Sequence, residues 1–454
     1  MRKNLKPFAL LLALLMSVSM LCGGAYADGQ FAPGTTIRMW TFLDPYGGTS
    51  GREVALKQMM DSFEAEYGVK VIVEPQTWST MTAKFFTAAA SGDAPDVQWI
   101  NVDDMGTAIK LGVLEPFENL FMKDWTEEQL ADAASPFFEF GVTDGLHYQM
   151  GFSRNFIGIM YRSDLLEEAG YSVPFENWEQ FREAAKALTV ENDPLTGTSR
   201  YGFGTGFTID SSDPQIICNM LLDEYGNMFN DDGTANWANP VGVRGATMLR
   251  DMMKVDGSIS EANLNHTVDD VYKDFAAGKY AMINGASVRM EKARSECVFD
   301  PDTIRLMPFP SDTNTYSPTV LTGWSVGVWS GSQNKEAAGK FVEWMFKPEN
   351  DVLWVQLGGQ APMMNSTPSL LADVLADPSN AYILDTVTCI TEAGWAQPTE
   401  YSVSGWRGDF NQAMSRPGSR IERGRIQLQQ QKRQITAPSP ASSRESNEPV
   451  TPAY

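Results

Sequence analysis

Residues 36–100 read TIRMWTFLDPYGGTSGREVALKQMMDSFEAEYGVKVIVEPQTWSTMTAKFFTAAASGDAPDVQWI, and this stretch decides the fold. Thr36–Trp40 is a short β-type run. Leu56, Met59, Met60, Phe63 and Tyr67 then fall at i, i+3, i+4, i+7 and i+11, one face of a helix. Gly68 ends that helix, and Val69–Val73 is a β-branched strand. A second helix is predicted over Met81–Ala90, stopped by Ser91-Gly92 and followed by a third strand at Val97–Ile100. Strand, helix, strand, helix, strand implies right-handed βαβ units and a parallel sheet covered by helices. Ligand crevices in such sheets form at the carboxyl ends of the strands. Trp40, Trp78 and the pair Asn101/Asp103 all stand at or just beyond those ends.

Outward from this block the same alternation continues. Tyr161–Ala169 and Trp178–Leu188 read as helices around a turn at Pro174, with Phe181, Ala184, Ala185 and Leu188 as the buried stripe of the second. Glu336–Phe346 reads as another, with Phe341, Trp344 and Met345 inward. Such stripes are core and need no functional account. No repeat of solenoid period is present. With 454 residues, 43% hydrophobic and 20% charged, the composition is that of a globular protein of two or three domains.

Charge excludes one class of partner. The net charge is −22, whereas a protein that binds nucleic acid by neutralising phosphates needs the opposite sign. Two histidines, His147 and His266, do not supply a multi-histidine metal centre, and no cofactor motif is present, so no cofactor and no metal are expected. Tyr201–Phe207, YGFGTGF, lacks the spacing of a dinucleotide loop, and Asn230-Asp231-Asp232-Gly233 reads as a polar turn rather than a calcium loop.

Both ends of the chain differ from its body. Arg2, Lys3 and Lys6 precede an apolar run from Pro7 to Leu21, and Ala25-Tyr26-Ala27 offers small residues where a signal peptidase reads. Residues 1–27 are thus read as a signal peptide, with the mature chain starting at Asp28. A lipid anchor on Cys22 is the competing reading, but Leu21 is bulkier than the small residue that processing site wants. Either way the expected location is extracytoplasmic. Residues 415–454 carry seven basic and three acidic residues and the segment Ala437-Pro438-Ser439-Pro440; they read as an atypical, disordered tail. Setting aside that tail (+4) and the leader (+3) leaves −29 for residues 28–414. The mature chain keeps Cys218, Cys297 and Cys389, an odd, widely spaced set that reads as small core residues with one optional bridge.

Four passages together carry a resemblance. These are FFTAAASGDAPDV (Phe85–Val97); YRSDLLEEAG (Tyr161–Gly170) with Trp178-Glu179-Gln180-Phe181; FAAGKYAMIN (Phe275–Asn284); and Gly323-Trp324 through Asn334–Ala338 and Phe341. In this order, over about residues 35 to 414, the chain resembles the extracellular solute-binding proteins of ABC importers, of the carbohydrate-binding, maltose-binding-like family. The resemblance implies a type II periplasmic-binding-protein-like α/β fold: two lobes joined by a multi-strand hinge, with a sugar held in the cleft between them. It implies an N-terminal lobe of 28–154 and 325–378 and a C-terminal lobe of 155–324 and 379–414. The implied partners are a carbohydrate ligand and the membrane permease subunits that transport it, the implied state is monomeric, and no enzyme activity is implied.

The ligand residues expected on this basis are Trp40, Trp78, Asn101, Asp103, Arg154, Asn155, Trp324, Tyr401 and Trp406. A sugar offers hydroxyls at its edge and an apolar C–H face, which aromatic platforms and amide or carboxylate groups match. For Trp40 and Trp78 core packing is the competing reading, and for Arg154 a hinge salt bridge. Ala286-Ser287 stand where the maltose-binding pattern has an aromatic platform, which puts maltose itself in question. The rival function is a secreted glycoside hydrolase, pairing Asp103 with Glu139 or Asp144 as its two carboxylates.

Overall fold

The computed structural model describes residues 31–133, 138, 141–208, 215–230 and 234–395. The signal peptide, Cys22, Glu139, Tyr401, Trp406 and the tail lie outside the described residues. In chain order the labelled elements are β1 (Thr36–Thr41), α1 (Gly51–Tyr67), β2 (Lys70–Pro75), α2 (Trp78–Ser91), β3 (Val97–Asn101) and β4 (Met150–Asn155). Next come β5 (Ile157–Arg162), α3 (Trp178–Ala187), β6 (Tyr201–Gly204), α4 (Gln215–Tyr225), α5 (Pro240–Lys254), α6 (Val268–Ala276), β7 (Tyr280–Ala286) and β8 (Ile304–Met307). The last are β9 (Thr322–Val328), α7 (Lys335–Met345), α8 (Pro348–Gly358) and α9 (Ala381–Ala393). The chain divides into two compact units. The first holds the chain up to Arg154 together with Thr322–Asp377, and the second Asn155–Leu321 together with the chain from Pro378.

The first unit is built on a five-stranded sheet of order β2-β1-β3-β9-β4. The three strands read from residues 36–100 pair in parallel, Ile37 opposite Val71 and Met39 opposite Val97. β9 returns antiparallel beside β3, with Val326 opposite Trp99. Alternation along β1 buries Ile37, Met39 and Thr41 and leaves Arg38 and Trp40 half-exposed. The buried set joins one core with Leu56, Met59, Met60 and Phe63 of α1 and Phe341 and Met345 of α7, the helical faces expected from the sequence. Glu53 starts α1 by accepting from both the backbone N–H and the hydroxyl of Ser50.

The second unit has a four-stranded sheet of order β8-β5-β7-β6. Phe181, Ala184 and Ala185 of α3, and Leu188 just after it, pack into its core with α4, α5 and Met282 of β7. Here one expectation is corrected. Tyr161 and Arg162 do not begin a helix; they close β5, and the helix runs only over Ser163–Glu168. β5 lies between two partners, Tyr161 facing Arg305 of β8 and Met282 of β7, and all six of its residues are buried. Pairing with β7 and β8 holds Tyr161 in the sheet, so the helix of Asp-Leu-Leu-Glu-Glu starts only at Ser163. The helix α9 docks on β8 through a bidentate ion pair, Arg305 Nε and Nη2 to Asp385 at 2.6 and 2.7 Å. Cys218 and Cys389 are buried and Cys297 partly so.

Gly202 of β6 marks the tightest approach in this unit. A Cβ placed on it would lie 1.7 Å from the carbonyl oxygen of Ala185 in α3. Gly202→Ala must push α3 off the sheet, and we expect a loss of about 3 kcal/mol in unfolding free energy, read from the urea midpoint at unchanged slope. A loss under about 0.5 kcal/mol would show that the helix shifts without cost.

Candidate functional site

The carboxyl ends of β1, β2 and β3 gather the expected residues of the first unit, on different faces of the sheet. Asn101 is the last residue of β3. Its side-chain oxygen accepts the backbone N–H of Asp103 at 2.9 Å, which starts the turn Val102–Asp104 and holds the half-exposed Asp103 beside it. Trp324 of β9 stands directly opposite Asn101, on the same face as Trp99. Its half-buried ring meets Phe42 edge-on at 5.1 Å between centroids, and Phe42 in turn meets Trp99 at 5.3 Å. The guanidinium of Arg52, in the first turn of α1, lies 5.7 Å over the Phe42 ring. Asn101, Asp103, Trp324 and Phe42 thus form one constellation: two aromatic rings, an amide and a carboxylate.

Trp40 belongs elsewhere. It registers with Gln98, one residue out of phase with Trp99, so its ring lies on the opposite face of the sheet from Trp324. Its indole N–H donates to Glu74 of β2 at 2.7 Å, and its body packs on the cluster of Phe85, Ile100 and Leu114. Glu74 also accepts from Nε and Nη2 of Arg38, and these hydrogen bonds hold its carboxyl below the usual carboxylate range against the opposing effect of burial. Trp78 opens α2 with 42% of its surface exposed.

Arg154 and Asn155 are consecutive but engage different units. Arg154, buried, donates through Nη1 to the carbonyl of Pro362, and burial lowers its pKa to about 10 against the attraction of Asp351. Asn155, also buried, accepts from the hydroxyl of Ser287 at 3.3 Å and the N–H of Val288 at 3.4 Å. The salt-bridge alternative for Arg154 thus has a named counter-charge in Asp351. Asp144 of the rival hydrolase pair sits at positive φ in the turn of a small ribbon, Val142–Thr143 with Leu146–His147.

Two residues escaped the sequence reading. Phe42 was hidden by its neighbour Trp40, although it is the first residue past the end of β1. In the second unit, Asn284 lies near the end of β7, which runs parallel to β6. It is 6% exposed, and its buried side-chain oxygen has no donor among the described residues. An unused acceptor at a strand end suits a hydroxyl-bearing molecule. Among the described residues no group of acidic, histidine or cysteine side chains could hold a metal ion, and no helix is long and apolar enough to cross a membrane.

The model of the family described as bacterial extracellular solute-binding protein matches residues 47–352. The chain belongs to that family. Among curated relatives of this solute-binding protein, the sn-glycerol-3-phosphate-binding periplasmic protein UgpB of Escherichia coli (strain K12) is 22% identical, over 78% of this chain and 80% of its own. An ABC substrate-binding protein from Listeria monocytogenes, solved in complex with cycloalternan, superposes with a TM-score of 0.72 at 20% identity, covering 88% of this chain and 98% of that one. UgpB from Mycobacterium tuberculosis, solved with glycerophosphocholine, gives a TM-score of 0.71 at 18% identity, covering 89% and 100%. These likenesses establish the two-lobe α/β fold of the periplasmic binding proteins.

Proposed function

We propose that this protein is the extracytoplasmic binding component of an ABC importer, that it captures a neutral sugar or oligosaccharide, and that it binds without hydrolysing. The observation that carries the choice of ligand is the constellation of Trp324, Phe42, Asn101 and Asp103 at the strand ends of the first unit. Rings take the C–H face of a sugar and the amide and carboxylate take its hydroxyls. The arginines argue in the same direction. Arg38 is held by Glu74 and Asp93, Arg154 by the Pro362 carbonyl, and Arg52 lies over Phe42, so among the described residues the strand ends of the first unit present no cluster of guanidinium groups of the kind that grips a phosphate. In this reading the two units are the lobes, residues 1–27 direct export, the membrane permease receives the loaded protein, and the working state is a monomer.

A thermal-shift series with maltotriose, cycloalternan, sn-glycerol 3-phosphate and glycerophosphocholine tests the proposal. A ligand that binds only the folded state must raise the melting temperature, by about 2.7 kcal/mol of added stability at a hundredfold excess over Kd. The expected result is a rise of several degrees with a saccharide, no rise with the phosphates, and unchanged saccharide on chromatography. A rise with the phosphates alone would overturn the choice of ligand, and a cleaved saccharide would establish the hydrolase instead.

A further inference from the structure

β2 is the outermost strand of the first unit's sheet: it pairs with β1 on one side and with no strand among the described residues on the other. The N–H groups of Lys70 and Gln76 reach the carbonyls of Thr35 and Thr41 at 3.0 and 2.8 Å. The even-numbered residues therefore turn their backbone groups toward β1, and Val71, Val73 and Pro75 turn theirs outward. Val71-Ile72-Val73 is a β-branched run, a sequence that takes a further strand readily. Pro75 has no N–H to offer it. The N–H of Val73 donates to the hydroxyl oxygen of Tyr46 at 3.0 Å. Of the three outward positions, only Val71 keeps an N–H without an acceptor among the described residues.

Tyr46 is 57% exposed, so its ring adds little to the core and its hydroxyl is what engages β2. The turn that carries it is fixed. The carboxylate of Asp44 accepts the N–H groups of Tyr46 and Gly47 at 3.0 and 3.2 Å, and the N–H of Asp44 donates to Glu53 of α1 at 3.2 Å.

The strip that Tyr46 covers is self-complementary. A second β2 laid antiparallel about Ile72 brings Val71 opposite Val73 twice, each pair exchanging its outward N–H and C=O groups. Lys70, Ile72 and Glu74 share one face of the strand. In that pairing the exposed Ile72 meets its counterpart, and Lys70 meets Glu74 on either side of it. Glu74, although held by Arg38 and Trp40, keeps 37% of its side chain exposed. We propose that Tyr46 guards this edge: its hydroxyl occupies the Val73 N–H that a second copy of this chain would need, and so keeps β2 from pairing with the β2 of another molecule. The guard rests on the monomeric working state given above.

Sedimentation equilibrium of the solute-free protein, at concentrations up to about 1 mM, tests this without knowledge of the solute. The parent should be a monomer. Tyr46→Ala should self-associate at least about tenfold more tightly, because the dimer gains a backbone hydrogen bond at each Val73. Adding Lys70→Glu sets like charges against Glu74 and should undo the gain. Lys186→Glu, the same change of charge at an exposed position of α3 in the second unit, should not. Tyr46→Phe, which deletes the hydroxyl alone, takes the place of Tyr46→Ala if that variant does not fold. A parent that is already a dimer would overturn the monomeric state and the guard together. A variant that stays as monomeric as its parent, or association that Lys70→Glu weakens no more than Lys186→Glu, would overturn the guard alone.

Discussion

Trp99→Ala should cost this protein about 3–5 kcal/mol of unfolding free energy, the range for removing a large aromatic side chain from a packed core. Trp99 has no exposed surface and stands among Phe42, Phe152 and Trp354, with ring centroids at 5.3, 5.1 and 6.3 Å. Its position in the middle of β3 leaves no route for the sheet to collapse into the cavity. Trp99→Phe separates the ring from its polar atom. The Trp99 indole N–H is buried with no acceptor among the described residues, so replacing it removes an unmet donor along with some volume. We expect that change to cost less than about 1.5 kcal/mol. Guanidinium denaturation followed by circular dichroism reads both variants. Equal losses for alanine and phenylalanine would show that the ring is not what the core requires.

Trp324→Ala should give the opposite profile. Its ring is half-buried and touches Phe42 at the rim rather than the middle of the core. We expect about 1 kcal/mol of lost stability, but a loss of about thirtyfold or more in affinity for the saccharide identified by thermal shift, since an aromatic contact at the centre of a site is commonly worth 2 kcal/mol or more. Isothermal titration at matched stability separates the two effects. Affinity within threefold of the parent protein would remove Trp324 from the site, and with it the principal reason for placing the solute on this face of the sheet. Trp40→Phe is the control, because Trp40 lies across the sheet with its indole N–H on Glu74.

Local pattern made much of the first unit legible. Leu56, Met59, Met60 and Phe63 share one face of α1 because helical geometry leaves no other arrangement, and all four are buried. Tyr161 misled because its fate depends on Arg305 and Met282, partners far along the chain that no local window contains. The same limit applies to Arg154. Its sequence neighbours say nothing of Asp351 or Pro362, and Asp351 itself, in Pro348-Glu349-Asn350-Asp351, reads like the exposed acidic first turn of a helix. In the candidate site, the neighbouring placement of Asn101 and Asp103 at the end of β3 was legible because strand ends are predictable. That Trp324 stands opposite Asn101 while Trp40 lies on the other face was hidden, because it depends on which face each strand presents once β9 has paired with β3.

The place of β9 in that sheet also orders events as the chain is made. β3 and β4 are synthesised early, yet the strand that lies between them begins only at Thr322, after the whole internal stretch of the second unit. Until then the growing polypeptide carries a pair of open strand edges, each a row of backbone groups without partners. Contacts so remote along the chain form slowly. A nascent molecule of this kind offers an extended interval in which a holding chaperone can engage it, and that interval closes when Trp324 reaches Asn101.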